Sequence, residues 1–86
     1  MALLDLLGRR WALRVLWELR AGNELTFRAL RAACDDVSTS VLNDRLRELR
    51  EAGIVTAGDG YRLTPRGLRL IAALAPLQTW AKAWAD

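Results

Sequence analysis

The feature that most constrains the fold of this chain is a change in the spacing of its apolar residues at Gly53. Before it, Leu42, Leu46 and Leu49 recur at the spacing of one face of an α-helix. After it, the segments IVTA and YRLT alternate apolar with polar residues on either side of a Gly-Asp-Gly turn at 58–60, a pattern typical of a β-hairpin. The chain must therefore end a helix and begin a two-stranded sheet within a few residues.

The helix before Gly53 has signals at both of its ends. Ser38 is suited to cap the N-terminus, because its hydroxyl can accept a hydrogen bond from an otherwise unpaired backbone N–H. Gly53 is suited to the left-handed position just past the C-terminus, with Ile54 folding back on Leu49. The sequence therefore predicts a helix over residues 39–52.

Shorter elements are expected upstream of this helix. An apolar turn at 2–7 is followed by a glycine and then by a helix over 9–20. Thr26 is placed to cap a further helix over 27–33. Leu25, just before that helix, is expected to form a single β-bridge.

The last helix is expected to start at Thr64 and Pro65, as N-cap and first helical residue. Within it, Pro76 lacks a backbone N–H, so a kink or break is expected near residue 75. The order helix, helix, helix, hairpin, helix describes a winged helix-turn-helix. The predicted fold class is mainly α with a small β-hairpin, built as one domain over residues 1–86 with a C-terminal dimerisation helix.

Composition argues against an enzyme. The chain has no histidine and a single cysteine, Cys34, so it lacks the usual general base, an internal disulfide and a CxxC metal site. No Gly-rich phosphate loop or nucleophile motif is present. Asp35 and Asp36, if close to Cys34, would raise the pKa of its thiol, which favours a buried structural role over a thiol sensor. We expect no cofactor and no metal site.

The sequence also argues against a membrane protein. No apolar run is long enough to span a bilayer. The opening MALLDLLGRRW lacks the basic start and the small-residue cleavage site of a signal peptide. We therefore expect an intracellular, cytoplasmic protein that does not engage a membrane.

The polar face of the 39–52 helix is the feature that indicates DNA. The formal net charge is only +3, which by itself supports nucleic-acid binding mildly. Short hydrogen-bonding side chains fill the first turns of the helix, which suits close approach to base edges in a major groove, although a solvated face would have a similar composition. The residues expected to contact DNA are Ser38, Thr39, Ser40, Asn43, Asp44, Arg47, Arg28 and Arg62.

Five motifs, taken in order, resemble the HxlR-type winged-helix transcriptional regulators, a bacterial-type group related to MarR. They are LLDLLGRRW, FRAL, SxxVLNDRLRELREAGIV, YRLTPRG and the leucines of the last helix that lead to Trp80. The resemblance spans nearly the whole chain. It implies a transcriptional regulator that binds double-stranded DNA as a homodimer, with the helix after Ser38 in the major groove and the first and last helices forming the dimer interface.

The tryptophans agree with a dimer, because aromatic residues at helical spacing are more often core or interface anchors than ligand contacts. Trp11 is expected in the core. The residues expected at the dimer interface are Leu3, Leu7, Trp17, Leu77, Trp80 and Trp84. A pocket for a flat small-molecule effector, of unknown identity, between the subunits is an alternative use of the tryptophans.

Two departures from the family pattern bear on function. The wing of the family is usually longer and more basic than the turn at 58–60, whose tip residue is Asp59. Arg14 stands where the family is usually apolar.

The low net charge and the short wing also fit a second hypothesis, a winged-helix protein-interaction module without strong DNA binding. The loss of DNA affinity with salt separates the two hypotheses, because phosphate contacts make that loss steep.

Overall fold

The computed structural model describes residues 2–85 of the chain. Within that range the elements are α1 Ala2–Leu7, α2 Ala12–Glu18, α3 Phe27–Ala33, α4 Thr39–Glu51, β1 Val55–Ala57, β2 Tyr61–Leu63 and α5 Pro65–Ala85. The two strands form an antiparallel hairpin. The predicted fold class, a mainly helical winged helix-turn-helix, is confirmed.

One face of α4 lies in the centre of the protein. Its stripe of Leu42, Leu46 and Leu49 is buried and packs in one cluster with apolar side chains of α2, α3 and the hairpin. Burying each leucine contributes about 1.5–3 kcal/mol relative to leaving it exposed. This burial fixes the rotation of α4 about its axis, so the opposite, polar face must point outward.

Both ends of α4 are closed as the sequence predicts. The backbone N–H of Val41 donates to the Ser38 hydroxyl at 3.2 Å. At the other end Gly53 has a φ of 75°. Its N–H donates to the Arg50 carbonyl, and the N–H of Ile54 donates to the Leu49 carbonyl, both at 3.0 Å. The predicted and observed C-terminal ends of the helix differ by one residue.

The hairpin is anchored to the segment before α3. Val55 lies opposite Leu63 in the register, and the side chain of Leu63 is buried. Leu25 forms the predicted bridge to Tyr61, with backbone N–O distances of 3.0 and 2.7 Å. A Cβ at Gly60 would lie 2.8 Å from the Leu25 carbonyl oxygen, so only glycine allows this close approach.

The α1–α2 turn differs from the sequence prediction. The helix expected over 9–20 spans only Ala12–Glu18, and it begins late because Trp11 adopts a left-handed conformation with φ 75°. The Ala12 N–H donates to the Arg9 carbonyl, and the Trp11 side chain packs against the core. A left-handed residue other than glycine typically costs about 1–3 kcal/mol, so the surrounding structure must hold Trp11 in this conformation.

A kink or break was expected near residue 75; the break is wrong, because α5 continues through Pro76 to Ala85, and the kink stays a prediction. The N–H that Pro76 lacks would have donated to the carbonyl of Ala72, which is an exposed residue. The start of α5 is the predicted one, since the Gly67 N–H donates to the Thr64 hydroxyl at 3.0 Å. No helix among residues 2–85 is long and apolar enough to cross a membrane.

Candidate nucleic-acid and dimer interfaces

The turn between α3 and α4 sets the direction of α4. Asp35 and Asp36 both have a φ of 57°, which reverses the chain within two residues. Arg31 holds the turn, because its Nε donates to the Val37 carbonyl at 2.7 Å and its Nη2 to the Asp36 carbonyl at 3.4 Å. This arginine therefore has a structural function.

The outward face of α4 carries the predicted polar side chains together. Thr39, Ser40 and Asn43 are exposed, and so is Ser38 at the cap. The Ser38 hydroxyl accepts the helix-capping bond and lies 3.5 Å from the Ser40 hydroxyl. The cap uses Ser38 as an acceptor, and its O–H proton remains able to donate to a ligand.

Asp44 and Arg47 form an ion pair on this face. The Arg47 Nη1 lies 3.4 Å from the Asp44 Oδ1, and both side chains are about half exposed to solvent. Exposed pairs at this helical spacing are worth only about 0.3–0.5 kcal/mol. Asp44 therefore orients the guanidinium of Arg47 without holding it tightly, and Arg47 can turn to an anionic ligand at little cost.

The sequence-predicted arginines outside α4 differ in their surroundings. Arg28 is exposed on the first turn of α3. Arg62 on the wing is half exposed, but its Nη1 donates to Glu24 Oε2 at 3.0 Å. A phosphate must therefore compete with Glu24 for Arg62. Sequence reasoning missed this pair because the two residues are 38 positions apart.

Two further side chains beside this face were missed. Arg50 and Thr56 line an open hollow between the end of α4 and β1, together with Arg47 and Glu51. Arg50 follows Arg47 by three residues, so the two guanidinium groups project from neighbouring positions of the helix surface. That spacing was the available signal, and it extends the basic surface toward the wing.

The second half of α5 exposes a large apolar surface. Leu77, Trp80 and Trp84 are 58%, 62% and 75% exposed. The two indole rings stack with centroids 6.3 Å apart and an interplanar angle of 11°. Leu3 on α1 is also exposed. All four side chains are exposed in the protomer, and their place at a dimer interface stays a prediction.

Leu7, which was also expected at the dimer interface, lies in the core. Its side chain is 8% exposed and belongs to the core cluster. The expectation for Leu7 is therefore corrected: together with Leu6, it packs the end of α1 against the core. The reason is geometric, because the α1–α2 turn directs this side chain inward.

Trp17 lines an apolar groove of about 530 Å³ between α2 and α5. Leu13 and Leu16 from α2 and Leu74 from α5 also line it. The Arg20 guanidinium lies 3.7 Å from the centroid of the Trp17 ring, a cation–π contact at the rim. Trp17 is partly buried in the protomer, and its place at a dimer interface stays a prediction.

Cys34 and Arg14 lie away from the polar face of α4. Cys34 is fully buried, and burial raises the pKa of its thiol, with Arg14 opposing part of that change. A thiol in this environment is poorly reactive. Arg14 reaches from α2 to donate to the Ala33 carbonyl at 2.8 Å, so it caps the C-terminus of α3. This contact explains a polar residue where the family is usually apolar.

Comparison with known proteins agrees with this geometry. The model of the HxlR-like helix-turn-helix family matches residues 6–86. The HTH-type transcriptional regulator YvaP of Bacillus subtilis (strain 168) is 31% identical over 90 residues, which cover 95% of this chain and 82% of that protein.

Solved structures show the same fold. Quinone-bound YodB from B. subtilis superposes with a TM-score of 0.86 at 29% identity, covering 95% of this chain and 93% of the YodB chain. A candidate HxlR family transcriptional factor from Thermoplasma volcanium GSS1 has a TM-score of 0.82 at 25% identity, covering 96% of this chain and 81% of that one. The winged-helix arrangement is therefore shared over nearly the full length.

Proposed function

The chain belongs to the HxlR-like helix-turn-helix family of transcriptional regulators, and on that premise we propose that it binds duplex DNA as a homodimer in the cytoplasm. The observation that carries the proposal is the exposed, polar outward face of α4. The opposite face of the same helix is buried in the core. Members of this family regulate transcription and are not enzymes.

The side chains on α4 suit distinct contacts in a major groove. Asn43 can bond an adenine edge through two hydrogen bonds, and Arg47 can bond guanine or a phosphate. Asp44 cannot contact phosphate, so it accepts from a cytosine amino group or orients Arg47. The 3.4 Å contact between Asp44 and Arg47 supports the orienting function.

The homodimer is supported by the unpaired apolar surface of α5. Trp80 and Trp84 are too exposed to stabilise the protomer, yet they stack with each other and continue the stripe of Leu77. A two-fold dimer places two recognition helices about 34 Å apart, the length of one DNA turn. The expected partners are therefore a second copy of the chain and a DNA site with two half-sites.

The alternative, a protein-interaction module, is favoured by one observation. Glu24 neutralises Arg62 on the wing, and Asp59 makes the tip acidic. Titration of DNA affinity against salt separates the two functions, because phosphate contacts release counterions and make affinity fall steeply with salt. Weak binding with a flat salt response would favour the protein-interaction module.

Replacing Arg47 by alanine tests the α4 assignment. We expect weaker binding to a fragment from upstream of the protein's own gene and a salt slope smaller by about one if Arg47 contacts phosphate.

Replacing Asn43 by alanine should cost about 1–3 kcal/mol of binding free energy at the preferred site and little at unrelated DNA. Fluorescence anisotropy at several salt concentrations measures both.

The matched control is Arg69→Ala, which removes an exposed arginine from α5. It should leave the sequence preference unchanged. If Arg47→Ala binds every DNA as tightly as the wild type does, α4 does not contact DNA in the proposed way.

Replacing Glu24 by glutamine should strengthen DNA binding by about twofold to fivefold, because it removes a competitor worth up to ~1 kcal/mol for the guanidinium of Arg62. The salt dependence should become steeper as Arg62 gains a phosphate. The same substitution in an Arg62→Ala background isolates this effect from the general loss of a negative charge. Equal strengthening in both backgrounds would show that Arg62 does not contact DNA.

A further inference from the structure

Arg45 and Glu48 form a charged cluster on the flank of α4 that faces the turn between α1 and α2. The Arg45 Nε lies 3.0 Å from Glu48 Oε1, and its Nη2 donates to Oε2 at 3.4 Å. The Arg45 Nη1 donates to the backbone carbonyl of Arg10 at 3.3 Å, across 35 positions of sequence. The Nε of Arg9 lies 3.7 Å from Glu48 Oε1.

This cluster is more enclosed than the ion pairs of the DNA-facing surface. The side chains of Arg45 and Glu48 are 15% and 19% exposed, which places both on the protein side of α4. The Arg45 Nε and Glu48 Oε1 are close but are not aligned as a hydrogen bond. Pairs of this kind add little net stability, because desolvation offsets their attraction. Their geometric effect is to hold α4 against one point of the backbone.

The Arg10 carbonyl lies in the segment that links the two proposed functional surfaces. The turn at 8–11 contains the left-handed Trp11 and joins α2 to α1, whose Leu3 is exposed for a partner. The recognition helix is thus tied by side chains to the element that leads directly into the dimer interface.

We propose that Arg45 and Glu48 are positioning residues that fix the orientation of α4 relative to the dimer interface, and thereby set the half-site spacing that the dimer accepts. This inference rests on the proposed function. It concerns neither the bases that α4 contacts nor the stability of the dimer. It predicts that weakening the cluster relaxes discrimination between spacings and leaves recognition of each half-site intact.

The test uses DNA fragments that carry the two half-sites, mapped by footprinting, at a series of spacings. For each protein the affinity at the best spacing is divided by the affinity with two base pairs inserted. In Glu48→Gln this ratio should fall by about threefold to tenfold, the size of typical coupling effects. Affinity for a fragment with a single half-site should equal that of the wild type.

Further variants make the result specific. Arg45→Lys should lower the ratio in the same direction, because an ammonium cannot bond Glu48 and the Arg10 carbonyl through one planar group. The double variant should resemble each single variant, since both remove the same contact. Glu18→Gln, which breaks the comparable Arg14–Glu18 pair on α2, should leave the ratio unchanged. Circular dichroism at the assay temperature verifies that all variants are folded.

The outcomes separate this inference from the proposed function. An unchanged ratio in folded Glu48→Gln and Arg45→Lys overturns the positioning role while DNA binding stands. A fall of equal size in Glu18→Gln also overturns it, because the effect would then follow general destabilisation. If the wild type binds no duplex DNA, the proposed function fails and this inference fails with it.

Discussion

Replacing Gly67 by alanine is expected to lower the free energy of unfolding by about 3 kcal/mol, the upper end of what overpacking costs. A Cβ at this position would overlap the carbonyl oxygen of Ile54 and lie 3.2 Å from the Cβ of Leu63. The Ile54 carbonyl cannot move away easily, because it accepts from the backbone N–H of Thr64 at 3.0 Å and lies 3.2 Å from the Thr64 hydroxyl.

Alanine is the better helix former by about 1 kcal/mol, so steric overlap must exceed that gain for the prediction to hold. For a domain of this size a loss of 3 kcal/mol corresponds to a melting temperature lower by about 12–24 °C. Thermal unfolding followed by circular dichroism measures it. Gly58→Ala is the matched control, because its Cβ would meet only the flexible end of Arg62 at 3.4 Å. Equal melting temperatures for the two variants would contradict the steric argument.

Replacing Trp80 and Trp84 together by alanine should dissociate the proposed dimer and weaken binding to a two-half-site DNA by about 10²–10⁴-fold, the usual gain from linking two binding events. Buried tryptophans at interfaces typically contribute 2 kcal/mol or more each, on the order of the hot-spot values. Both side chains are largely exposed in the protomer and stack on each other, so the substitution should leave the protomer folded.

Sedimentation velocity at tens of micromolar, on the order of concentrations that detect weak association, reports the oligomeric state. Lys82→Ala is the control, because residue 82 lies on α5 between the tryptophans but on the opposite face of the helix. A monomeric wild type, or a Trp80→Ala, Trp84→Ala variant that remains a dimer, would show that α5 does not hold the subunits together.

The elements with local signals could be predicted from the sequence. Ser38 and Gly53 mark the ends of α4 through hydrogen bonds that each residue makes with its immediate neighbours. Thr64 does the same for α5. The alternation of apolar and polar residues on either side of 58–60 predicted the hairpin. The leucine stripe predicted which face of α4 is buried and therefore which polar face is exposed.

Features that depend on distant partners could not be predicted. The pairing of Arg62 with Glu24, and of Arg45 with the Arg10 carbonyl, joins positions that only the folded chain brings together. Trp11 adopts its left-handed conformation while its side chain packs against the core, and the residue type itself does not indicate a turn. Leu7 was expected on the surface because a single apolar residue does not reveal the direction in which a short turn points it.

The continuity of α5 through Pro76 gives its last turns an unusual dependence on association. At Pro76 the helix lacks one backbone hydrogen bond, and the largest side chains after it, Leu77, Trp80 and Trp84, are exposed. A helical segment of two or three turns is marginal by itself in water. Amide protons there should therefore exchange with solvent at low protomer concentration and become protected as the proposed dimer forms. In the proposed dimer, folding of the last turns of α5 and association of the subunits are then one coupled equilibrium.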